Sequence, residues 1–279
     1  MELLQTIFMG IIQGLSEFLP VSSSGHLVFT SAMYNFFTGN APEIETGEEI
    51  FVSMMLHIGT LFSILIFFWN DILDIIKALF NAVKTRSLEN HYAKMGVYVI
   101  IATVFTILVA YPLNDISETL MYSPKIVAGL LIFTGIYLII AEKFKKQEKD
   151  HVNLPIAILM GIAQGIAAFP GLSRSGLTIA TGLLSGVKKF NCAKFSFLLS
   201  FPIILGASII YPLLELDFDE VVDYNWLGIF VGVIVSAVVG YYCIKYFLKF
   251  LEKFSLDIFG YYCIIVGILG VIFFSVFNI

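Results

Sequence analysis

The sequence predicts an all-α polytopic membrane protein: six full transmembrane helices plus two re-entrant helix hairpins, arranged as an inverted repeat. Three observations carry this prediction. Hydrophobic residues make up 58% of the 279 positions and charged residues only 13%, against roughly 25% charged in an ordinary soluble domain. The apolar residues are also blocked, so that Ile50 to Trp69 contains no Asp, Glu, Lys or Arg, and about 20 such residues span a bilayer core as a helix. Finally, a motif of sixteen residues near the N-terminus returns 151 positions later. The first two observations exclude a soluble enzyme, a disordered chain and a nucleic-acid binder.

Ten apolar segments follow one another, near 2–19, 21–37, 50–69, 93–112, 124–141, 153–170, 172–187, 195–214, 224–248 and 258–277. Their length and lack of strand alternation make them helical. The connections orient them, because cytoplasmic loops carry the excess of Lys and Arg. Four connections, 70–94, 142–151, 188–194 and 245–257, hold fourteen of the sixteen basic residues. The connections 38–49, 113–123 and 215–223 hold none and carry acids such as Glu43, Glu45, Glu48, Glu49, Asp217, Asp219 and Asp223. The basic set is placed in the cytoplasm and the acidic set outside.

Segments 153–170 and 172–187 leave a basic connection and return to one, and only Gly171 separates them. A hairpin dipping in from the cytoplasm satisfies both facts. Segments 2–19 and 21–37 form the matching hairpin from outside, which leaves six full spans and both termini outside. The hairpins align without a gap, Gly10 to Gly25 on Gly161 to Gly176, with eight of sixteen positions identical. Each is followed by three spans, and an odd number of crossings inverts the second copy relative to the first. Inverted repeats whose broken helices meet near the midplane build a site there. The chain 1–279 is thus one membrane domain, repeat 1 about 1–141 and repeat 2 about 152–279, since no extramembrane stretch is long enough to fold alone. Met1-Glu2-Leu3-Leu4 lacks the positive start of a signal peptide, so no cleaved leader is expected. Cys192, Cys243 and Cys263 are odd in number and without CxxC spacing, and read as apolar packing residues.

The chemistry concentrates at the two hairpin turns. Pro20-Val21-Ser22-Ser23-Ser24-Gly25-His26 offers three hydroxyls and an imidazole, with Glu17 one turn before. Gly171-Leu172-Ser173-Arg174-Ser175-Gly176 offers two hydroxyls and one of the chain's two arginines. An ionisable side chain at membrane depth costs about 2.5–3.5 kcal/mol even on the mild insertion scale. Glu17 and Arg174 therefore have either a structural role, as an ion pair tying the hairpins, or a functional one. For the five serines, capping of new helix N-termini competes with ligand binding. The functional reading places an anion, with phosphate the natural choice, among helix N–H groups, hydroxyls and Arg174. Glu17 then suits a divalent cation shared with phosphates. His26 lies three residues after Ser23 and shares its face on a helix, which suits a hydroxyl nucleophile and its proton partner. His57 reads as a packed structural histidine with a direct role as the alternative, and His91 and His151 as solvated.

At these motifs the sequence resembles the undecaprenyl-pyrophosphate phosphatase family of the BacA/UppP type. The resemblance rests on Gln13-Gly-Leu-Ser-Glu17-Phe-Leu-Pro-Val-Ser-Ser-Ser-Gly-His26 and Phe169-Pro-Gly-Leu-Ser-Arg-Ser-Gly-Leu-Thr178, with support from His57-Ile-Gly-Thr60 and Phe195-Ser-Phe-Leu-Leu199. It implies hydrolysis of a long-chain polyprenyl diphosphate to the monophosphate and inorganic phosphate, which recycles the lipid carrier for cell-wall synthesis and links to bacitracin resistance. A divalent cation (Mg²⁺ or Ca²⁺), a site facing outward in the plasma membrane and a homodimer are implied as well. The family's acidic motif falls on Gln13 and Glu17, its catalytic serine on Ser23, its histidine on His26 and its diphosphate-binding arginine on Arg174. Ser22, Ser24, Ser173 and Ser175 flank these positions as substrate-binding candidates. Many members have Glu where Gln13 stands, so Glu17 carries more of any metal binding here. The competing reading is a lipid-phosphate flippase or anion transporter built on the same inverted repeat.

Overall fold

The computed structural model describes residues 3–38, 47–215 and 224–277. Glu43, Glu45, Asp217, Asp219 and Asp223, which orient two acidic connections, lie outside the described residues.

Among the described residues the chain is helical. The elements are α1 (Leu3–Ser16), α2 (Ser23–Thr38), α3 (Gly47–Phe67), α4 (Trp69–Thr85), α5 (His91–Ala110), α6 (Asn114–Met121), α7 (Pro124–Phe144), α8 (Leu154–Ile166), α9 (Arg174–Leu184), α10 (Lys189–Glu215), α11 (Trp226–Lys253) and α12 (Asp257–Val276). Five are long and apolar enough to cross a membrane, starting at His91, Pro124, Lys189, Trp226 and Asp257, or six if α3 and α4 count as one bent span. The chain is thus a multi-pass membrane protein. α1 and α8 are 14 and 13 residues long. At 1.5 Å per residue each reaches only about 20 Å, short of a hydrocarbon core of about 30 Å.

One expectation needs correction. The stretch 70–94, read as a plain basic connection, is mostly helix: α4 leaves α3 at an angle of 76°. Its apolar residues recur at helical spacing and bury Ala78 and Ala82 against Ala93 of α5, while Asp71, Asp74, Lys77 and Lys84 keep it out of a hydropathy window. Asp71 pairs with Lys194 of α10 at 2.5 Å, which fixes the bend on the core. The connection after α5 also winds into α6, and the Ser117 hydroxyl donates to the Ala168 carbonyl beside the second turn at 2.7 Å.

Packing is arranged so that each short hairpin helix lies along a long one. α1 packs on α11, α8 on α5, and α7 on α12. Small residues permit the approach: a Cβ on Gly14 would sit 2.8 Å from the Ser236 carbonyl oxygen, and one on Gly165 2.8 Å from that of Thr106. The core closes beneath the turns, where fully buried Phe18 meets Phe197 edge to face with centroids 5.3 Å apart. All three cysteines are buried and free. The connector after α7 is held to the end of α9 by the Lys149–Gly186 and Lys188–Lys149 backbone bonds at 2.9 and 3.0 Å. There the Lys188 ammonium, 2.5 Å from Asp150, donates to its carboxyl and holds it below the usual carboxylate range. His91 and His151, read as solvated, have exposed side chains with ring centroids 4.0 Å apart.

Candidate active site

α1 stops at Ser16 because the chain runs into Pro20, and α8 stops before Pro170; neither proline can continue a helix. Each chain then reverses through a short turn and starts a new helix on a serine cap. Ser22 Oγ accepts the Gly25 N–H at 3.2 Å, and Ser173 Oγ accepts the Gly176 N–H at 3.1 Å. Capping frees no more than it must: the N–H groups of the first helical residues, Ser23, Ser24, Arg174 and Ser175, have no intrahelical partner.

The two turns touch. A Cβ on Gly25 would come within 3.0 Å of the Gly171 Cα, so a larger residue at position 25 would drive the turns apart. Gly171 itself has φ +91°, a conformation that side chains resist. Across this contact the Ser175 hydroxyl donates to the Leu19 carbonyl at 3.0 Å, and the Arg174 guanidinium pairs with the Glu17 carboxylate. Thr134 of α7 braces the second turn, accepting the Ser173 N–H and donating to the Gly171 carbonyl, both at 3.2 Å.

Glu17 is the centre of the charged cluster. It is 7% exposed, and a buried carboxylate must be paired or hydrogen-bonded. Oε1 takes Arg174; Oε2 accepts the Gln13 amide N–H at 2.9 Å and faces His57 Nε2 at 3.7 Å. His57 is thereby drawn into the site rather than left as packing. Its Nδ1 lies 2.8 Å from the Ser53 carbonyl one turn back, which turns Nε2 toward Glu17.

Of the hydroxyls expected at the site, most have structural duties. Ser22 and Ser173 are caps; Ser24 and Ser175 lie 3.4 and 3.3 Å from those caps' oxygens. Ser23, half-buried at the first position of α2, makes no side-chain hydrogen bond among the described residues, which leaves its oxygen available. His26 shares that first turn, but its ring bonds elsewhere: Nδ1 to the Ser22 carbonyl at 2.7 Å and Nε2 to the Tyr262 hydroxyl at 2.8 Å. Of the residues singled out in the sequence, the structure joins Gln13, Glu17 and Arg174 in one cluster. It sets the turn of Ser22, Ser23 and Ser24 against that of Ser173 and Ser175 through Gly25 and Gly171. His26 turns to Tyr262 instead, and among the described residues the side chains of Ser23 and His26 bond to neither Glu17 nor Arg174. Sequence reasoning missed Tyr262, which sits in a tyrosine-rich apolar helix with no motif, and Thr134, whose signal was a lone hydroxyl in the middle of a span.

The arrangement has the parts of a phosphate site: a guanidinium, two helix N-termini from opposing turns, a free hydroxyl and two imidazoles. Residues 6–269 match the model of the family described as bacitracin resistance protein BacA. The chain belongs to this family. Among its relatives, an undecaprenyl-diphosphatase of Halothermothrix orenii is 37% identical over 279 residues, covering 99% of this chain and 100% of the relative. One of Methanobrevibacter smithii is 39% identical, with 96% of each chain covered. An undecaprenyl-diphosphatase 2 of Halalkalibacterium halodurans is 36% identical, covering 96% and 95%.

Proposed function

We propose that this BacA-family chain is a membrane phosphatase that hydrolyses undecaprenyl diphosphate to the monophosphate and inorganic phosphate. The observation that carries the reading is the pairing of Arg174 from one turn with Glu17 from the other, where the turn that leads into Ser23 and His26 touches the second turn at Gly171, in a chain similar over its whole length to undecaprenyl-diphosphatases. A flippase or anion carrier needs the guanidinium and the N–H groups but has no use for a free serine hydroxyl beside a histidine.

The diphosphate lies between the turns, where Arg174 and the N–H groups of Ser23, Ser24 and Ser175 donate hydrogen bonds to its oxygens. To bind it, Arg174 must leave Glu17, so substrate replaces an internal carboxylate with an external phosphate. The Ser23 oxygen attacks the terminal phosphorus, the bond from that phosphorus to the bridging oxygen breaks, and undecaprenyl monophosphate leaves. The serine proton passes to His26 Nε2, since Nδ1 is held by the Ser22 carbonyl. Water then hydrolyses the phospho-serine and releases inorganic phosphate. Most of the acceleration is positioning and charge neutralisation.

A divalent cation fits this site as a partner shared with substrate. Glu17 offers one carboxylate and Gln13 an amide oxygen. Among the described residues no three His, Cys, Asp or Glu side chains gather into a cage. One carboxylate plus substrate phosphates is how Mg²⁺ is commonly held. When bound, Mg²⁺ or Ca²⁺ supplies charge neutralisation, and Glu17, once released by Arg174, is the side chain that would hold it, with Gln13 assisting.

The same reading covers topology: six spans, two hairpins entering from opposite sides, both termini outside and the site opening outward. Its support is the crossed packing, in which the hairpin of each repeat lies on the second span of the other, as a two-fold relation requires. A cysteine placed at position 45 or 219 should label from outside in intact cells and one at position 146 should not; labelling at 146 overturns the arrangement. A homodimer rests on the family resemblance and is checked by light scattering in detergent. For the activity, purified protein should release phosphate from undecaprenyl diphosphate with Mg²⁺ or Ca²⁺ and stop on chelation. Absence of release under every divalent condition would sink the hydrolase reading.

A further inference from the structure

The proposed chemistry asks His26 to take a proton, and the structure leaves one nitrogen for it. A carbonyl only accepts, so the contact of Nδ1 with the Ser22 carbonyl at 2.7 Å puts the ring N–H on Nδ1 and the lone pair on Nε2. That lone pair points at Tyr262, whose hydroxyl lies 2.8 Å away. The two rings also stack, with centroids 5.7 Å apart and planes within 7°. A phenol can both donate and accept, so one group can serve both charge states of the imidazole. A packing residue would need the ring but not the hydroxyl.

We infer that Tyr262 acts on the reaction through His26: its hydroxyl fixes the ring at Nε2 and carries the serine proton to that nitrogen, donating to the neutral ring and accepting from the protonated one. The Ser23 proton reaches Nε2 by way of the phenol: the Tyr262 hydroxyl gives its own hydrogen to Nε2 as its oxygen takes the serine's, then accepts the new Nε2–H, so the phenol ends with one proton as it began. The inference rests on the phosphatase reading of this site.

The backbone that carries Tyr262 is fixed for such a task. On either side of it, α12 is locked to α7: a Cβ on Gly260 would sit 2.8 Å from the Gly135 carbonyl oxygen, and one on Gly267 2.8 Å from that of Ala128. The next residue, Cys263, is fully buried with its sulfur 3.5 Å from the Pro20 carbonyl, so α12 touches the same turn that leads into His26. A helix held this closely cannot let its tyrosine drift from the imidazole without repacking two neighbours. The hydroxyl is therefore presented to His26 by the same contacts that place the first turn.

The test compares phosphate release by detergent-purified Tyr262→Phe, His26→Asn, Arg174→Ala and Tyr261→Phe with the unaltered protein, using undecaprenyl diphosphate. Tyr262→Phe keeps the stacked ring and should lower kcat about tenfold, the scale of one hydrogen bond, with KM within about twofold. Tyr261, exposed on the same helix, should tolerate Phe without change. A fluorinated tyrosine inserted at position 262 keeps the shape but makes the phenol a stronger donor, and should change kcat measurably, a response that packing alone does not give. If His26→Asn and Arg174→Ala lose activity while Tyr262→Phe and the fluorinated form match the unaltered protein in kcat, the inference fails. Full activity in His26→Asn and Arg174→Ala overturns the reading of the site itself.

Discussion

At the first turn, Ser22 caps its helix through the Gly25 N–H at 3.2 Å and lies 3.4 Å from the Ser24 hydroxyl; at the second, Ser173 caps through Gly176 at 3.1 Å and lies 3.3 Å from Ser175. The positions that match between the copies, Gln, Phe, Ser-x-Ser and Gly, build this common backbone. The positions that differ hold the residues proposed for the chemistry. Glu17 stands against Ala168, Ser23 against Arg174 and His26 against Leu177. Carboxylate, hydroxyl and imidazole thus lie on one turn and the guanidinium on the other, so the proposed site needs both turns. In that proposal the matching positions supply the scaffold and the differing ones the function.

The comparison can be broken at both kinds of position. Ser23→Ala removes a hydroxyl that makes no side-chain hydrogen bond among the described residues, so phosphate release should fall by about 10³-fold or more, as for loss of a nucleophile, while the melting temperature stays put. Equal rates in this variant would point to direct attack by water. Arg174→Ala should cost about 10²–10³-fold in release. It should also destabilise by roughly 3–5 kcal/mol, because Glu17 is left buried without its cation; calorimetry in detergent reads the second effect. Gln13→Glu adds a second carboxylate beside Glu17, and a titration of release against Mg²⁺ should reach half-maximum at severalfold lower metal. Ser173→Ala, at a matched position, should cost about 1 kcal/mol as a lost cap and change kcat less than either chemical variant. The smallest effect belongs to Ser22→Gly. Ser22 has φ +64°, a left-handed conformation costing roughly 1–2 kcal/mol for an ordinary residue, so glycine should offset the lost cap and leave thermal stability nearly unchanged.

Much of this was legible in the chain. Absence of charge over 50–69 marked the apolar helix α3, which counts as a span only together with the bent α4, and the Gln-Gly…Ser-x-Ser-Gly register marked both turns, because backbone reversal and capping restrict residue choice locally. The ion pair between Glu17 and Arg174, 157 positions apart, could be anticipated because both are expensive at that depth. α4 was hidden because its apolar face is narrow and its charges mimic a loop. Tyr262 was hidden for a different reason: its contact with His26 comes from α12 packing on the first turn through Cys263 and Pro20, a tertiary contact with no local pattern. Capping by the serines was anticipated, but which of them cap, Ser22 and Ser173, was not legible, since a cap and a ligand-binding hydroxyl are spelled alike.

The claim that the two turns form one site is tested most directly by a double-mutant cycle on phosphate release with Glu17→Gln, Arg174→Ala and the pair together. Residues that serve one bound diphosphate act as a unit, so the double variant should be no slower than the worse single variant by more than about threefold. Losses that simply multiply would mean that the turns act independently, and would contradict the account.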